Sequence, residues 1–336
     1  LAGRRIAITG STGFLGTALV ERLLRSAPDC ELVLIVRPGR RGADRRVERD
    51  ILRNDAFDNL RSQLGDDGFA EMTARRITAV AGDVTSDNLG LDAEGLAALA
   101  SGDIVVHSAA VVSFDSPLDY AVEVNLLGPV RIVETLAGLG VAPHQVTVYT
   151  CYVAGSRRGR APEEPVDASS FFVDVDWRTE VDAARRIRLD TETESRTPAN
   201  LTAFRDEAHG ELGAAGIPSL AAKTEQLRCR WVDDKMAEAG VARATSLGFP
   251  DAYAFTKALG EIAVAESAGD VPISVVRPAI IESAHSEPSP GWIRGFRMAE
   301  PVIISYARGL LKEFPGVPEG TVDVIPVDFV VAAICA

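Results

Sequence analysis

The residues of this chain best suited to proton transfer are a tyrosine and a lysine in the segment YAFTK, residues 253–257. Their spacing places Tyr253 and Lys257 on one face of a helix, one turn apart. An ammonium group beside a phenol favours the phenolate and lowers the pKa of the phenol from about 10. With 5 tyrosines and four lysines in 336 residues, chance predicts about 0.06 such pairs. The pair therefore predicts a proton donor for a carbonyl oxygen.

A glycine-rich turn, TGSTGFLG at residues 9–16, lies between a strand pattern and a helix pattern. Gly10 permits a tight turn, Gly13 lets a pyrophosphate approach the backbone, and Gly16 lets the helix pack on the sheet. The free N–H groups at the start of such a helix favour anions. The turn predicts a dinucleotide site formed by Gly10, Thr12, Gly13, Phe14, Leu15 and Gly16.

Arginines follow the second strand pattern, where an acidic residue would favour NAD. Six arginines and only two acids occupy positions 37–49. Guanidinium groups match a 2′-phosphate by bidentate hydrogen bonds, so Arg37, and Arg40 as a second candidate, predict NADPH as the cofactor. For Arg45, Arg46 and Arg49 a solvated helix face with ion pairs is expected instead.

Short apolar, β-branched runs alternate with helix patterns along the first 150 residues, at 4–9, 31–36, 77–81, 104–107 and 146–150. Continuous apolar strands separated by helices indicate a parallel sheet covered on both faces. With right-handed crossovers this predicts an α/β fold, a Rossmann-type doubly wound sheet with a smaller, mostly helical substrate-binding region.

Four segments are expected along the chain. Residues 1–155 form the NADP-binding Rossmann core, and 156–249 form an insertion of helices and loops. The insertion is interpreted either as a substrate lid or as a solvated, mobile segment. Residues 250–278 return to the core with the Tyr253–Lys257 helix. Residues 279–336 form a substrate-binding region with a returning core strand near 321–327.

Composition excludes several classes of protein. Acidic residues outnumber basic ones by 48 to 35, and a net charge of −13 argues against nucleic-acid partners. The four cysteines form no CxxC pair, so no metal site is expected and a cytoplasmic location fits. No apolar run approaches the roughly 20 residues of a membrane span, and no signal peptide is visible. Peripheral membrane contact stays open. Both ends of the chain indicate a portion linked to further domains.

The glycine turn with its TGxxGFLG spacing, together with the Tyr253–Lys257 pair, resembles the extended branch of the short-chain dehydrogenase/reductases. The resemblance implies that Lys257 also binds the nicotinamide ribose. It implies further cofactor contacts at Asp83, Val84, Ser108, Ala109 and Ala110. Thr150 matches the hydroxyl that orients the substrate oxygen, whereas His107 and Asn125 are interpreted as structural.

Cys151 offers a different chemistry, because a thiolate there could attack a thioester and form an acyl-enzyme. No partner base for this cysteine is evident in the sequence, and a small buried thiol is commonplace. Direct hydride transfer to the thioester therefore remains the favoured route, with the nucleophile as the alternative.

Motifs spread over nearly the whole chain resemble the fatty acyl-CoA reductases, among them LIVRPG, HSAAVVSF, PDAYAFTKALGE, VVRPAIIES and VDVIPVDFV. The resemblance implies NADPH-dependent reduction of a long-chain acyl-CoA to an aldehyde, and leaves further reduction to the alcohol undecided. It implies that Pro278, Ile280 and Ile281 pack against the nicotinamide. Trp292, Ile293 and Phe296 are candidates either for an apolar acyl channel or for ordinary packing.

Three alternatives accompany this interpretation. Another extended-branch enzyme, such as a sugar epimerase or steroid dehydrogenase, is disfavoured by the insertion and the carboxyl-terminal motifs. A thioester reductase acting on carrier-protein-bound acyl chains differs chiefly in what holds the thiol, and the charge of −13 would repel acidic carriers. A non-catalytic NADP-sensing protein would have no need for the intact residues Thr150, Tyr253 and Lys257.

Overall fold

The computed structural model describes residues 1–157, 159–169, 173–213, 218–295, 300–313 and 322–336. Its contacts divide the chain into two compact units. The first unit comprises Leu1–Ala109, Arg131–Cys151 and Ser267–Ala336. The second comprises Ala110–Val130 and Tyr152–Glu266.

The first unit is built on a parallel sheet of six strands in the order β3-β2-β1-β4-β5-β6. The strands are β1 Arg5–Thr9, β2 Glu31–Val36, β3 Ile77–Ala81, β4 Ile104–His107, β5 His144–Val148 and β6 Ile273–Val276. Every pair is parallel, and Ile8 of β1 is in register with Leu34 of β2 and Val106 of β4. This order, which reverses between β1 and β4, confirms the predicted Rossmann-type fold.

Burial explains why the central strands read as unbroken apolar runs. Ile8, Leu34 and Val105 are each fully buried, with 0% of their surface exposed. A strand covered by helices on both faces has no solvent side, so neither set of alternate residues needs to be polar. The same apolar core includes the inner faces of the first and last helices of the unit.

Twelve α-helices lie in the described part of the chain. They are α1 Phe14–Ser26, α2 Gly42–Val47, α3 Asp58–Arg76, α4 Ala93–Ala100, α5 Leu118–Ala121, α6 Leu127–Gly138, α7 Trp177–Ser195, α8 Pro198–Leu212, α9 Leu220–Ser246, α10 Ala252–Ser267, α11 Glu300–Ala307 and α12 Val327–Cys335. Short 3₁₀ or π turns lie at Glu48–Leu52, Asp55–Phe57, Asp87–Gly90, Val122–Leu126, Cys151–Ala154 and Val166–Ala168. None of the described helices is both long and apolar enough to cross a membrane.

The second unit is helical, and most of it comes from the insertion. Its core joins α5, α7, α9 and α10 through buried side chains such as Trp177, Val232 and Phe255. The alternating charges of the insertion are used in ion pairs. Arg243 pairs with the buried Glu180, and Arg228, 3% exposed, pairs with Glu192 at 2.6 Å. The charge pattern therefore belongs to a folded helical bundle with an apolar core.

Two boundaries differ from the segments expected from sequence. Residues 252–266 of α10 group with the helical insertion, because the buried face of α10 contributes to the same apolar core as α7 and α9. The strand expected near 321–327 is β8 Val324–Pro326, and Thr321 lies outside the described residues. It pairs with β7 Ile280–Glu282 in a separate sheet of two strands and does not return to the main sheet. Pro326, which has no N–H to donate, ends β8 directly before α12.

Candidate active site

The glycine turn is held by close backbone approaches within the first unit. Gly10 has φ +78°, and a Cβ there would lie 2.5 Å from the backbone nitrogen of Ala109. A Cβ on Gly16 would overlap the carbonyl oxygen of Gly10. Packing alone therefore requires glycine at these two positions. A side chain at Gly10 would separate the turn from the residues after β4, and one at Gly16 would separate the start of α1 from the turn.

Gly13 is different, because only the Gly10 carbonyl oxygen, at 3.2 Å, lies within reach of a Cβ there. It precedes α1, which begins without a side-chain cap. The Oγ of Ser11 is buried and has no hydrogen-bond partner in the described part of the chain. An uncapped helix start, a glycine beside it and a buried hydroxyl fit the phosphates of a dinucleotide.

Beyond the end of β2, Arg37 and Arg40 are exposed. Two of the neighbouring arginines pair with acids one helical turn away, Arg45 with Glu48 at 2.7 Å and Arg46 with Asp50 at 3.4 Å. Arg49 pairs instead with the adjacent Asp50, at 2.5 Å. Arg46 also donates to the carbonyl oxygen of Arg37 at 2.5 Å. Arg46 thus supports the backbone after β2, while the charges of these neighbouring arginines are largely compensated by the ion pairs.

The turn after β3 is closed by its own side chains. One carboxylate oxygen of Asp83 accepts hydrogen bonds from the backbone nitrogen of Thr85 at 2.9 Å and from its hydroxyl at 2.8 Å. Arg131 donates to the carbonyl oxygen of Val84 at 3.2 Å. Arg131 is not predicted from sequence, since nothing in its local pattern indicates a partner 47 residues away.

Ser108 and His107 fix the end of β4. The Ser108 hydroxyl donates to the carbonyl oxygen of Thr9 at 2.9 Å. The Nδ1 atom of the fully buried His107 lies 2.8 Å from the Thr9 hydroxyl. These contacts agree with a structural role for His107. Ala109 is the last residue of this segment of the first unit, and its backbone nitrogen lies close to Gly10. Ala110 begins the second unit.

Thr150 follows β5 and is 4% exposed. The next residue, Cys151, donates its backbone N–H to the carbonyl oxygen of Pro278 at 3.0 Å, which ties the two segments together. Burial, and secondarily the carboxylate of Asp323, raise the pKa of the Cys151 thiol. A thiol with a raised pKa is a poor nucleophile, so this environment disfavours the acyl-enzyme alternative. Ile280 and Ile281 lie in β7, just beyond Pro278.

Tyr253 and Lys257 lie in the second unit, one turn apart on α10. The carboxylate of Asp251 accepts from the backbone nitrogen of Ala254 at 2.8 Å and so caps the helix directly before the tyrosine's turn. Tyr253 is half-buried, whereas Lys257 is 2% exposed. The predicted helix and spacing are confirmed.

Burial changes the electrostatics of the pair. Removal of the ammonium group from water lowers the pKa of Lys257 to about 7. The lowering of the phenol pKa that is predicted from sequence requires Lys257 to carry its positive charge. In the folded chain without ligands, the charge beside the phenol instead depends on pH near neutrality.

The side chain of Asn125 connects two segments of the second unit. Its side-chain oxygen accepts from the backbone nitrogen of Val111 at 2.9 Å, and its amide donates to the Val111 carbonyl oxygen at 3.0 Å. The same amide lies 3.3 Å from the hydroxyl of Thr256, the residue before Lys257. The structural interpretation of Asn125 agrees with these contacts.

Of the candidates for an acyl channel, Trp292 packs in the core of the first unit. It is 5% exposed, its ring centroid lies 5.3 Å from that of Phe14, and its indole donates to Asp55 at 2.8 Å. These contacts favour the ordinary packing that was one of its two expected roles. Ile293 is partly buried, and Phe296 lies outside the described residues.

The candidate residues are distributed over both units. Within the first unit lie the glycine turn, Thr150 and the segments at 37–40, 83–84, 108–109 and 278–281. Ala110, Tyr253 and Lys257 belong to the second. The first unit thus presents the features of a dinucleotide site, and the second presents a proton-donor pair.

Comparisons with known proteins agree with this chemistry. The sequence profile of the family described as male sterility protein matches residues 8–334. The chain is 32% identical over its full length to fatty acyl-CoA reductase 2, chloroplastic, of Arabidopsis thaliana, covering 51% of that protein. It is 30% identical, over 99% of its length, to the alcohol-forming fatty acyl-CoA reductase of Simmondsia chinensis, covering 62% of it.

Among solved structures, the terminal R domain of the myxalamid PKS-NRPS biosynthetic pathway is similar in fold. It aligns with a TM-score of 0.61 at 21% identity, and covers 100% of this chain and 62% of that domain. The chain therefore spans about half to two thirds of the length of these relatives.

Proposed function

The chain belongs to the male sterility protein family, and from this premise we propose that it is an NADPH-dependent reductase of long-chain fatty acyl-CoA thioesters. The proposal is supported by a family that includes fatty acyl-CoA reductases and by the chemistry of the two units. The catalytic part of the proposal rests on a single observation. Lys257 is buried and lies one turn of α10 from the half-buried phenol of Tyr253.

Most of the residues assigned to the cofactor belong to the first unit, whereas Ala110 belongs to the second. The uncapped start of α1 and the backbone at Gly13 suit the pyrophosphate, and Arg37 and Arg40 suit a 2′-phosphate. Asp83, Val84, Ser108, Ala109 and Ala110 are assigned to the remainder of the dinucleotide. Pro278, Ile280 and Ile281 are assigned to the nicotinamide. When bound, NADPH supplies the hydride for the carbonyl carbon.

Tyr253 donates its phenolic proton to the thioester oxygen as charge develops there, and Thr150 orients that oxygen by a hydrogen bond. Lys257 lowers the cost of the phenolate left on Tyr253. Hydride and proton together convert the thioester to a hemithioacetal, whose C–S bond then breaks to release aldehyde and the CoA thiol. A second hydride and proton convert the aldehyde to a primary alcohol where reduction continues.

Turnover with palmitoyl-CoA tests the proposal. The protein, with NADPH in excess, should consume the reduced nicotinamide while gas chromatography detects hexadecanal, hexadecanol or both. Tyr253→Phe should lower the rate by about a thousandfold, because general acid catalysis is lost. NADPH binding, followed by nicotinamide fluorescence, should remain. An unchanged rate in this variant removes Tyr253 as the proton donor.

The same assay separates the alternative substrates and functions. Activity only with acyl chains on a phosphopantetheinyl carrier protein would assign the chain to carrier-bound thioesters. NADPH binding without turnover on either substrate would favour a sensor. We also propose a reducing, cytoplasmic location, since all four cysteines are free thiols.

A further inference from the structure

A short loop of the second unit, residues 111–116, exposes two apolar side chains, one of which lies beside Tyr253. Val112 and Phe114 each have 44% of their surface exposed. The ring centroid of Phe114 lies 6.1 Å from that of Tyr253, with an interplanar angle of 73°. Phe114 therefore presents its ring edge-on to the phenol while much of its surface remains open to solvent.

The loop is anchored to the helix that carries Tyr253. At its start, the Asn125 amide binds both the backbone N–H and the carbonyl of Val111, at 2.9 and 3.0 Å, and contacts Thr256 on α10. At its end, Ser116 is 6% exposed. Fixed ends on both sides give the exposed residues a defined position next to the phenol.

Single exposed apolar residues are normal in proteins and need no explanation. Here two of them lie in one loop, and one contacts the side chain proposed to protonate the thioester oxygen. A carbonyl group within reach of the Tyr253 phenol has its first methylene groups within reach of the same surface.

We propose that Val112 and Phe114 form the surface that binds the first methylene groups of the acyl chain, next to the thioester carbonyl. This inference rests on the proposed function and assigns part of its substrate site. Each methylene group that leaves water changes affinity by up to about fourfold. Loss of the Phe114 ring should therefore weaken binding of a chain several carbons long by about tenfold, and should not affect a chain that ends before the surface.

Alkyl-CoA thioethers test this without catalysis, because they carry no carbonyl group to reduce. Calorimetry would measure the binding of S-methyl-, S-hexyl- and S-hexadecyl-CoA to the protein and to Phe114→Ala. S-methyl-CoA is the shortest of the series, and its one carbon stands at the carbonyl position. We expect equal affinities for S-methyl-CoA, an approximately tenfold loss for S-hexyl-CoA, and no further loss for S-hexadecyl-CoA. Phe114→Leu, which restores apolar area, should recover most of the affinity.

Phe329→Ala is the matched control. Phe329 is 52% exposed and also lies edge-on to a ring, 5.8 Å from that of His285 at 68°. The Phe329→Ala variant should bind all three thioethers with the affinity of the unchanged protein. NADPH affinity and melting temperature should be the same in every variant.

The outcomes separate the two proposals. If the unchanged protein reduces palmitoyl-CoA but Phe114→Ala binds the thioethers as Phe329→Ala does, this inference is overturned and the proposed function stands. A loss that is equal for S-methyl- and S-hexyl-CoA also overturns it, because the ring would then act on the CoA portion or on Tyr253. If the unchanged protein neither reduces acyl-CoA nor binds a thioether, both proposals fail.

Discussion

Replacement of Lys257 by methionine should stabilise the ligand-free protein at neutral pH. Burial lowers the pKa of Lys257 from 10.5 to about 7, so the unfolded chain binds a proton more tightly than the folded chain does. Burial of the charged Lys257 therefore lowers the free energy of unfolding. Below pH 7 this cost is fully present and amounts to about 5 kcal/mol, since each unit of pKa shift corresponds to about 1.36 kcal/mol. The cost shrinks as the pH rises and is absent above pH 10.5.

Methionine has a similar length and no charge, so the variant avoids this cost. At pH 7 the gain is at most about 4 kcal/mol, reduced by about 1 kcal/mol for each hydrogen bond that the lysine makes. Between pH 7 and 10 the stability of the unchanged protein should rise relative to the variant by up to about 1.4 kcal/mol per pH unit.

Urea unfolding of both proteins, measured from pH 6 to 10, gives the difference between their free energies of unfolding at each pH. In this difference curve the groups that the two proteins share cancel. Lys235→Met is the control, since Lys235 is an exposed lysine of the same unit. It should show no such slope through neutral pH. A flat difference curve for Lys257→Met would mean that Lys257 keeps its ordinary pKa in the folded chain and would refute the electrostatic reasoning.

Three further predictions concern the first unit. Arg37→Asp should weaken NADPH about a hundredfold more than NADH in fluorescence titrations, whereas an equal loss for both would place the 2′-phosphate elsewhere. Cys151→Ala should retain activity within about threefold, because a thiol with a raised pKa is no nucleophile; a loss above about a hundredfold would restore the acyl-enzyme route. Gly16→Ala should lower stability by about 3 kcal/mol, since its Cβ overlaps backbone, whereas Gly13→Ala, with its Cβ 3.2 Å from the Gly10 carbonyl oxygen, should lower the melting temperature less and should weaken NADPH binding. Equal melting temperatures for the two glycine variants would contradict the packing argument.

The parts of this protein that could be predicted from sequence are those with a local signal. The strand and helix periods, the glycine turn and the Tyr253–Lys257 spacing each depend on residues a few positions apart. The ion pairs of Arg45 and Arg46 follow the same rule. Such features are decided by backbone geometry, which repeats every two or 3.6 residues.

The parts that could not be predicted depend on distant partners. Trp292 binds Asp55 across 237 positions, so a tryptophan that could line a channel lies in the core instead. The depth at which Lys257 is buried is decided by which helices surround α10, and so is the grouping of α10 with the insertion. No spacing along the chain encodes these neighbours.

The contrast between the packed glycines and the exposed arginines bears on how the cofactor preference of this protein can be changed. Gly10 and Gly16 are confined by backbone atoms, so a side chain at either would disturb the turn whichever nicotinamide cofactor is used. Arg37 and Arg40 lie on the surface, where substitutions cost little stability. With these arginines as the proposed 2′-phosphate site, preference between the two nicotinamide cofactors could be engineered independently of the scaffold that holds the dinucleotide.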